Sequence, residues 1–432
     1  MILFEKDKKS FLRKEWEKIL IKQIDFNELK SDKKKIILKD KSDIENFIKK
    51  DWKFNLELEK IIILPPLNNF YDVVKFIKKI EEITNDEVVL VVNYFSKSWL
   101  PIFKIFSKSG FIKNYEQSLF FSENIFNLFL DASNFEISKK IKNISMPLKI
   151  PFFSNLINIL FSLLPFLSFF SFSKIYYLRK KNVTQRDNLM SIIIPCKNEE
   201  GNIQNIIKDN FKDKLTFQYE VIFVDDCSTD KTLLAMEEEK KNNSDIKIKI
   251  ANGIGKGKSR AVDVGVKNSS GDYCIILDAD ITVKVEDLDL FYHAIKNNNA
   301  DLINGSRLIY KVERKSMRIL NYFGNIFFSI IVSYISEKYV SDILCGTKCF
   351  KRKSWDKYED FRQKYQLNDI WGDFNIIFAS SFIGEKIIDL PVRYYERVQG
   401  VSKMGKRFFN FLNMTKVCLK VFICFKLKNK LI

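Results

Sequence analysis

The sequence predicts an α/β protein: a mixed, mostly parallel sheet flanked by helices, preceded by a smaller N-terminal α/β domain. Three observations predict it. From Ser191 onward, short apolar runs alternate with helical stretches, as in a chain of β-α units. Four of the turns in that half are polar, and in a parallel sheet such turns share the edge formed by the carboxyl ends of the strands. Earlier, an apolar run, a helical stretch and a second apolar run lie between Ile61 and Val92, and a polar linker over 181–190 separates the two halves.

The bulk numbers limit the function classes. A chain of 432 residues with 46% hydrophobic and 29% charged residues is folded and long enough for two or three domains. Its net charge of +18 favours acidic partners, but the lysines are spread along the whole chain, so nucleic acid is not indicated. Seven cysteines lack disulfide-like spacing, and Cys345 and Cys349 have no second Cys/His pair to complete a zinc site. A reducing, cytosolic setting is expected, and the opening MILFEKDKK is too charged for a signal peptide. With His293 as the single histidine, Ser-His and Cys-His triads are not expected.

Residues 1 to about 60 read as helices or partly ordered arms. Ile61–Leu64 and Val88–Val92 read as strands around a helix over Tyr71–Ile83. The segments KIIILPPLNNFYDVVKFIKKIEE, VNYFSKSWLPIFKIFSKSGF and ISMPLKIPFFSNLINILFSLLPF resemble the later half of a class I methyltransferase domain, over about 60–180. A domain of that kind needs a glycine-rich turn after its first strand, so that the backbone can approach the cofactor. Here Gly110 is the first glycine and Gly201 the next. The resemblance therefore implies a degenerate domain over 1–180, a scaffold or partner surface without a cofactor loop. Ile150–Ser173 is uncharged over a bilayer's thickness. Its prolines, asparagines and basic flanks on both sides favour a buried or membrane-surface hairpin, with a spanning helix as the alternative.

In the second half, Ser191–Pro195, Tyr219–Val224, Ile246–Ile250 and Tyr273–Leu277 are strand candidates. Asn202–Asn210, Lys231–Lys241, Lys258–Ser269 and Val285–Lys296 are helix candidates. Asp278 and Asp280 follow the last strand. Two carboxylates so placed are costly to hold together unless a cation neutralises them, and a divalent ion with oxygen ligands usually arrives with a phosphate. Alone, Asp-x-Asp would be a surface turn. Together with Pro195–Glu200, Asp225–Asp230 and Gly253–Arg260 it describes a nucleotide pocket. The segment around Lys258 is no P-loop, since that pattern needs glycine where Asn252 stands. A lysine-bearing turn capping the next helix is expected instead.

SIIIPCKNEEGNI, VIFVDDCSTDKT, GKGKSRAVDVG and GDYCIILDADIT, then DLINGSRLIY, SDILCGTKCFKR, WGDFNIIFAS and DLPVRYYERVQGVSK, resemble the successive motifs of a family-2 glycosyltransferase with the GT-A fold, over 191–405. The nearest subgroup is similar to the dolichol- or polyprenyl-phosphate sugar synthases. The resemblance implies that Pro195, Glu199 and Asp226 line the base and ribose pocket. It further implies that Asp278 and Asp280 hold Mg²⁺ or Mn²⁺ against the diphosphate of a nucleotide-sugar, with Lys256 at a motif position of the same pocket. Arg307, and Arg397, Ser402 and Lys403, would grip phosphate oxygens. Asp373 matches an acidic catalytic position. A hydroxyl acceptor would need it as general base, whereas a phosphate acceptor, with its second pKa near 6, is already ionised. A helix N-cap is the plainer role for it.

Ile319–Ser336 is a second uncharged run, with Asn325, Ser329 and Ser333 on one stripe. Residues 406–432 mix apolar residues with Lys416, Lys420 and Lys426, as a membrane-surface helix would. The resemblance implies an inverting transferase acting on a polyprenyl phosphate, and these features place it, peripheral or monotopic, at the cytoplasmic membrane face. Transfer to a sugar hydroxyl and a non-catalytic, membrane-associated scaffold are the alternatives.

Overall fold

The computed structural model describes residues 34–50, 52, 58–70, 72–96, 99–101, 104, 123–131, 133–144, 173–181, 188–203, 206–207, 211, 214–280, 282–308, 319–367, 369–395 and 407–427. The chain divides into two compact units, Met1–Thr184 with Phe422–Ile432, and Gln185–Val421.

In the first unit, β1 (Lys34–Leu38), α1 (Lys41–Ile48), β2 (Leu58–Ile63), α2 (Val73–Ile83), β3 (Val89–Phe95), α3 (Glu123–Asp131), β4 (Phe135–Ile144) and β5 (Ser173–Lys180) follow in order. The sheet order is β1-β2-β3-β5-β4. The first three strands are parallel, and β5 runs antiparallel between β3 and β4. Helix α2 starts where Asp72 accepts a hydrogen bond from the Lys75 N–H, and it buries Val73, Phe76, Ile77 and Ile80 on one face. The expected helix and two strands are present. Helix α1 lies in the stretch expected to hold helices or partly ordered arms, whereas strand β1 was not expected, because KKIIL is short and flanked by charge. Residues 150–172, the uncharged hairpin candidate, lie outside the described residues.

The second unit contains β6 (Met190–Cys196), α4 (Glu200–Ile203), β7 (Tyr219–Asp225), α5 (Thr232–Asn242), β8 (Ile248–Asn252), α6 (Lys258–Lys267), β9 (Tyr273–Ile276), α7 (Leu288–Lys296) and β10 (Leu302–Ser306). After these come α8 (Ile319–Ser336), β11 (Lys348–Lys351), α9 (Trp355–Lys364), α10 (Asp373–Ile383), β12 (Ile387–Pro391) and α11 (Arg407–Phe422). The sheet order is β12-β10-β11-β9-β6-β7-β8, all parallel but for β11, which is antiparallel to both β9 and β10. This is the mixed, mostly parallel sheet flanked by helices that the sequence predicts. Apolar strands β6, β7 and β9 are buried on both faces, as parallel strands under helices must be.

On β7, Glu220 is fully buried and accepts from Ser191 Oγ at 2.8 Å and Ser270 N at 2.6 Å. Lys247 and Lys249 reach it at 2.8 and 3.1 Å. It ties the amino ends of β6–β9 together, at the opposite edge from the turns that carry the site.

Candidate active site

The first two turns are laced to each other. Asn198 N donates to Ser228 Oγ at 3.0 Å, Thr229 N to Asn198 Oδ1 at 2.8 Å and Glu199 N to Thr232 Oγ1 at 2.8 Å. Asn198 and Cys227 sit in the left-handed region, with φ of 52° and 59°, a cost that these cross-bonds offset. The Glu199 carboxylate accepts from Asn202 Nδ2 at 2.6 Å, and Pro195 is half-buried near the end of β6.

Asp226 clamps the glycine loop. Its Oδ1 accepts from Gly255 N at 2.8 Å and its Oδ2 from Gly257 N at 2.9 Å. Gly257 has φ of 90° and directly precedes α6, a backbone that an L side chain resists. The turn is thus a helix start and not a phosphate loop. Each Asp226 carboxylate oxygen, expected to face the base and ribose, accepts one backbone N–H of the loop. Lys256 is exposed on this turn. Lys258, at the start of α6, is the lysine that meets the Asp-x-Asp turn.

Three acids, each paired with one base, form the centre. Lys258 Nζ lies 2.6 Å from Asp278 Oδ1. Burial opposes the charge on Asp278, but Lys258, with Arg307 and Lys348 further off, holds its carboxyl below the usual range. Burial likewise opposes the charge on Lys258, yet Asp278 and then Asp373 keep its pKa above the ordinary lysine value. Gly346 packs onto this pair: a Cβ there would fall 2.3 Å from Asp278 Oδ2 and 2.4 Å from Lys258 Nζ. Lys348 on β11 is fully buried, and its ammonium reaches Asp373 Oδ1 at 3.0 Å and also donates to the Cys345 carbonyl. Arg307, after β10, forks into buried Asp342, with Nε to Oδ2 at 2.7 Å and Nη2 to Oδ1 at 2.8 Å. Its guanidinium stacks on Tyr394 at 5.1 Å, and Asn325 Nδ2 donates to Asp342 at 2.6 Å. The guanidinium that was expected to grip phosphate is held by a carboxylate, which fixes its orientation.

Asp280 is half-buried and accepts from Thr282 Oγ1 at 3.1 Å. Asp373 is the first residue of α10 and follows Gly372 in the left-handed region. Neighbouring Asp369 accepts from Asn375 N at 2.9 Å and Trp371 N at 3.2 Å. Burial first, then the charge on Asp373, push its carboxyl up to about 6. Arg397, Ser402 and Lys403 lie outside the described residues. Lys258, Asp342, Gly346 and Lys348 went unassigned in the sequence reading although two motifs contain them. The one available signal was Lys258 itself, the first residue after a helix-starting glycine.

A mixed sheet carries a glycine turn and an Asp-x-Asp turn at the carboxyl edge of its parallel strands. The chain belongs to glycosyl transferase family 2, whose family model matches residues 191–383. An uncharacterized protein of Methanocaldococcus jannaschii is 31% identical over 168 residues, 38% of this chain and 71% of that protein. Dolichyl-phosphate beta-glucosyltransferase of Dictyostelium discoideum is 32% identical, covering 40% of this chain. Dolichol-phosphate mannosyltransferase of Pyrococcus furiosus is 31% identical, covering 52% of this chain. The chain spans 58% and 61% of the length of those two relatives. Glucosyl-3-phosphoglycerate synthase from Mycobacterium tuberculosis, solved with Mn²⁺ and UDP, is 15% identical with a TM-score of 0.39, over 55% of this chain and 80% of that one. The family assignment does not rest on a likeness that low.

Proposed function

We propose that this chain is an inverting glycosyltransferase that moves a sugar from a nucleotide-sugar to a polyprenyl phosphate at the cytoplasmic face of a membrane. The observation that carries the reading is the cluster of Asp278–Lys258, Asp373–Lys348 and Asp342–Arg307 in the family-2 domain. Relatives named for dolichyl- and dolichol-phosphate transfer support the acceptor class.

Asp278 and Asp280 suit Mg²⁺ or Mn²⁺. Among the described residues no group of three or more His, Cys, Asp or Glu side chains could hold a metal. Two carboxylates alone fit an ion that arrives with a diphosphate, because such ions complete their shell with substrate oxygens and water. When bound, the ion offsets charge on the leaving nucleoside diphosphate. The residues of the chain do the rest. Asp226 holds the glycine loop beside the donor, and Arg307, oriented by Asp342, presents a guanidinium to phosphate. The acceptor oxygen then attacks the anomeric carbon in one step as the diphosphate leaves.

A hydroxyl acceptor would need Asp373 as general base. Its bond to buried Lys348 supports an orienting role instead, which suits a phosphate nucleophile that is already ionised. Accordingly, Asp373→Asn keeps measurable transfer to polyprenyl phosphate, and a near-dead variant would move the reading to a sugar-hydroxyl acceptor.

Helix α8 supports attachment to a membrane surface. Asn325 and Ser329 point inward at 1% and 5% exposure, while Phe323, Phe327 and Ile330 stand outward at 62%, 49% and 65%. Helix α11 packs beside it, Phe411 stacking on Phe327 at 6.2 Å, and exposes Phe409 and Leu419. Such an inverted helix pair fits a lipid interface. Among the described residues no helix is long and apolar enough to cross a membrane. All seven cysteines are free thiols, in keeping with a reducing compartment. The first unit, which resembles the later half of a class I methyltransferase domain, is proposed as a scaffold or partner surface.

A thermal-shift panel of UDP-, GDP- and CDP-sugars tests the donor. At least one is expected to stabilise the protein only when Mg²⁺ or Mn²⁺ is present. No shift across the panel with metal counts against a nucleotide-sugar site.

A further inference from the structure

We infer that Lys258 is a built-in counter-ion that holds the place of the divalent cation, keeping the metal out until the nucleotide-sugar brings it. The inference rests on the proposed role of Asp278 as a metal-contacting carboxylate.

The geometry is specific. Lys258 Nζ contacts Asp278 Oδ1 at 2.6 Å, closer than a typical amine–carboxylate hydrogen bond. Gly346 covers the other side, with no room for even a methyl group between its Cα and the pair. The remaining charges nearby are already matched, Asp373 with Lys348 and Asp342 with Arg307. Without a donor each of these three pairs is neutral, and the Asp280 carboxylate adds a negative charge beside them. A bare divalent cation entering the centre must displace the Lys258 ammonium to reach Asp278, with two carboxylates and no diphosphate oxygens to hold it. That is unfavourable in a partly desolvated site.

A metal bound to a nucleoside diphosphate meets different conditions. The phosphate oxygens supply ligands that the protein lacks, and they offer the displaced ammonium an anionic partner. Lys258 then passes from Asp278 to the diphosphate, on a side chain whose four-carbon stem permits the movement. No proton is gained or lost in the exchange. Metal and donor enter as a unit, and Lys258 is a positioning residue first for Asp278 and then for the leaving group.

The test is Mn²⁺ binding, followed by electron paramagnetic resonance of the free ion, on the full chain with and without UDP or GDP. The wild type is expected to bind Mn²⁺ weakly alone and tightly with the nucleotide. Lys258→Met keeps the apolar stem and removes the charge. It should bind Mn²⁺ without nucleotide about tenfold more tightly than the wild type, the factor expected from freeing one charge-assisted contact. Lys258→Gln serves as the second variant if the Met form does not fold. Asp278→Asn should lose Mn²⁺ binding under both conditions. Unchanged nucleotide-free affinity in the Lys258 variants, with Asp278→Asn still defective, would overturn the counter-ion role and leave the site intact. Full nucleotide-dependent binding by Asp278→Asn would overturn the metal-ligand reading itself.

Discussion

At the scale of single residues, the site is a set of charges fixed by partners. Asp342 accepts from the Arg307 guanidinium, the Arg307 backbone N–H and Asn325 at once. Burial opposes its charge, but Arg307 holds its carboxyl below the usual range. Asp342→Asn should lower kcat/KM by ~30-fold or more, since truncating one partner of a buried charge pair costs ~2 kcal/mol or more. Steady-state kinetics with unchanged turnover would show that Arg307 needs no such anchor. Asp369 makes a pH prediction. Its carboxyl titrates near 6 in the native chain, against an ordinary value near 4. Between about pH 4 and 6 the folded protein therefore keeps a proton that the unfolded chain has released. Stability from this group is full at the acid end and falls as pH rises through that window, by on the order of 2–3 kcal/mol. Asp278 and Asp342 act in the opposite sense, at lower pH. Denaturant midpoints of wild type and Asp369→Asn should lie close together at pH 4 and separate at pH 7, with the wild type falling relative to the variant. Parallel curves would contradict the shift.

At the scale of elements, the strand–helix alternation was readable because the pattern of buried strands is local. Tyr219–Val224 was expected and Tyr219–Asp225 observed, and the helix from Lys258 begins where its glycine places it. The side-chain pairings were not readable. Lys258 and Asp278 are twenty residues apart, and Asn325 reaches from its helix to Asp342 in the loop that follows; the fold brings them together. Gly257→Ala should cost ~1–2 kcal/mol, because its φ of 90° is in the left-handed region and its Cβ would fall 2.9 Å from Ile370 Cγ2. Chemical denaturation measures this, and an unaltered midpoint would mean that the turn adapts. Helix α8 gives the reverse case. The stripe of Asn325, Ser329 and Ser333 was visible in the sequence, but its inward direction was not. Serines at Phe323 and Ile330 should leave stability within ~0.5 kcal/mol, as exposed sites do, yet weaken sedimentation with anionic vesicles. Equal sedimentation would remove the membrane role of this face.

At the scale of the whole molecule, charge and topology work together. The net charge of +18 favours approach to anionic lipid and to phosphorylated donors, and the parallel sheet collects the turns that receive them along one edge. Glu220 keeps the opposite edge closed. Removing its carboxylate takes the acceptor from the buried Ser191 hydroxyl and from the Ser270 N–H, so Glu220→Ala should cost ~1–3 kcal/mol without touching a site residue. The central claim is metal-assisted sugar transfer to a lipid phosphate. Its most direct test is incubation of the full chain with labelled nucleotide-sugars and undecaprenyl phosphate, with Mg²⁺ or Mn²⁺ and with chelator, beside the folded Asp280→Ala variant. A labelled lipid product that needs the metal and disappears in the variant is the predicted result. A complete donor panel that yields no lipid product with metal, or a product undiminished by chelator and by Asp280→Ala, would contradict it.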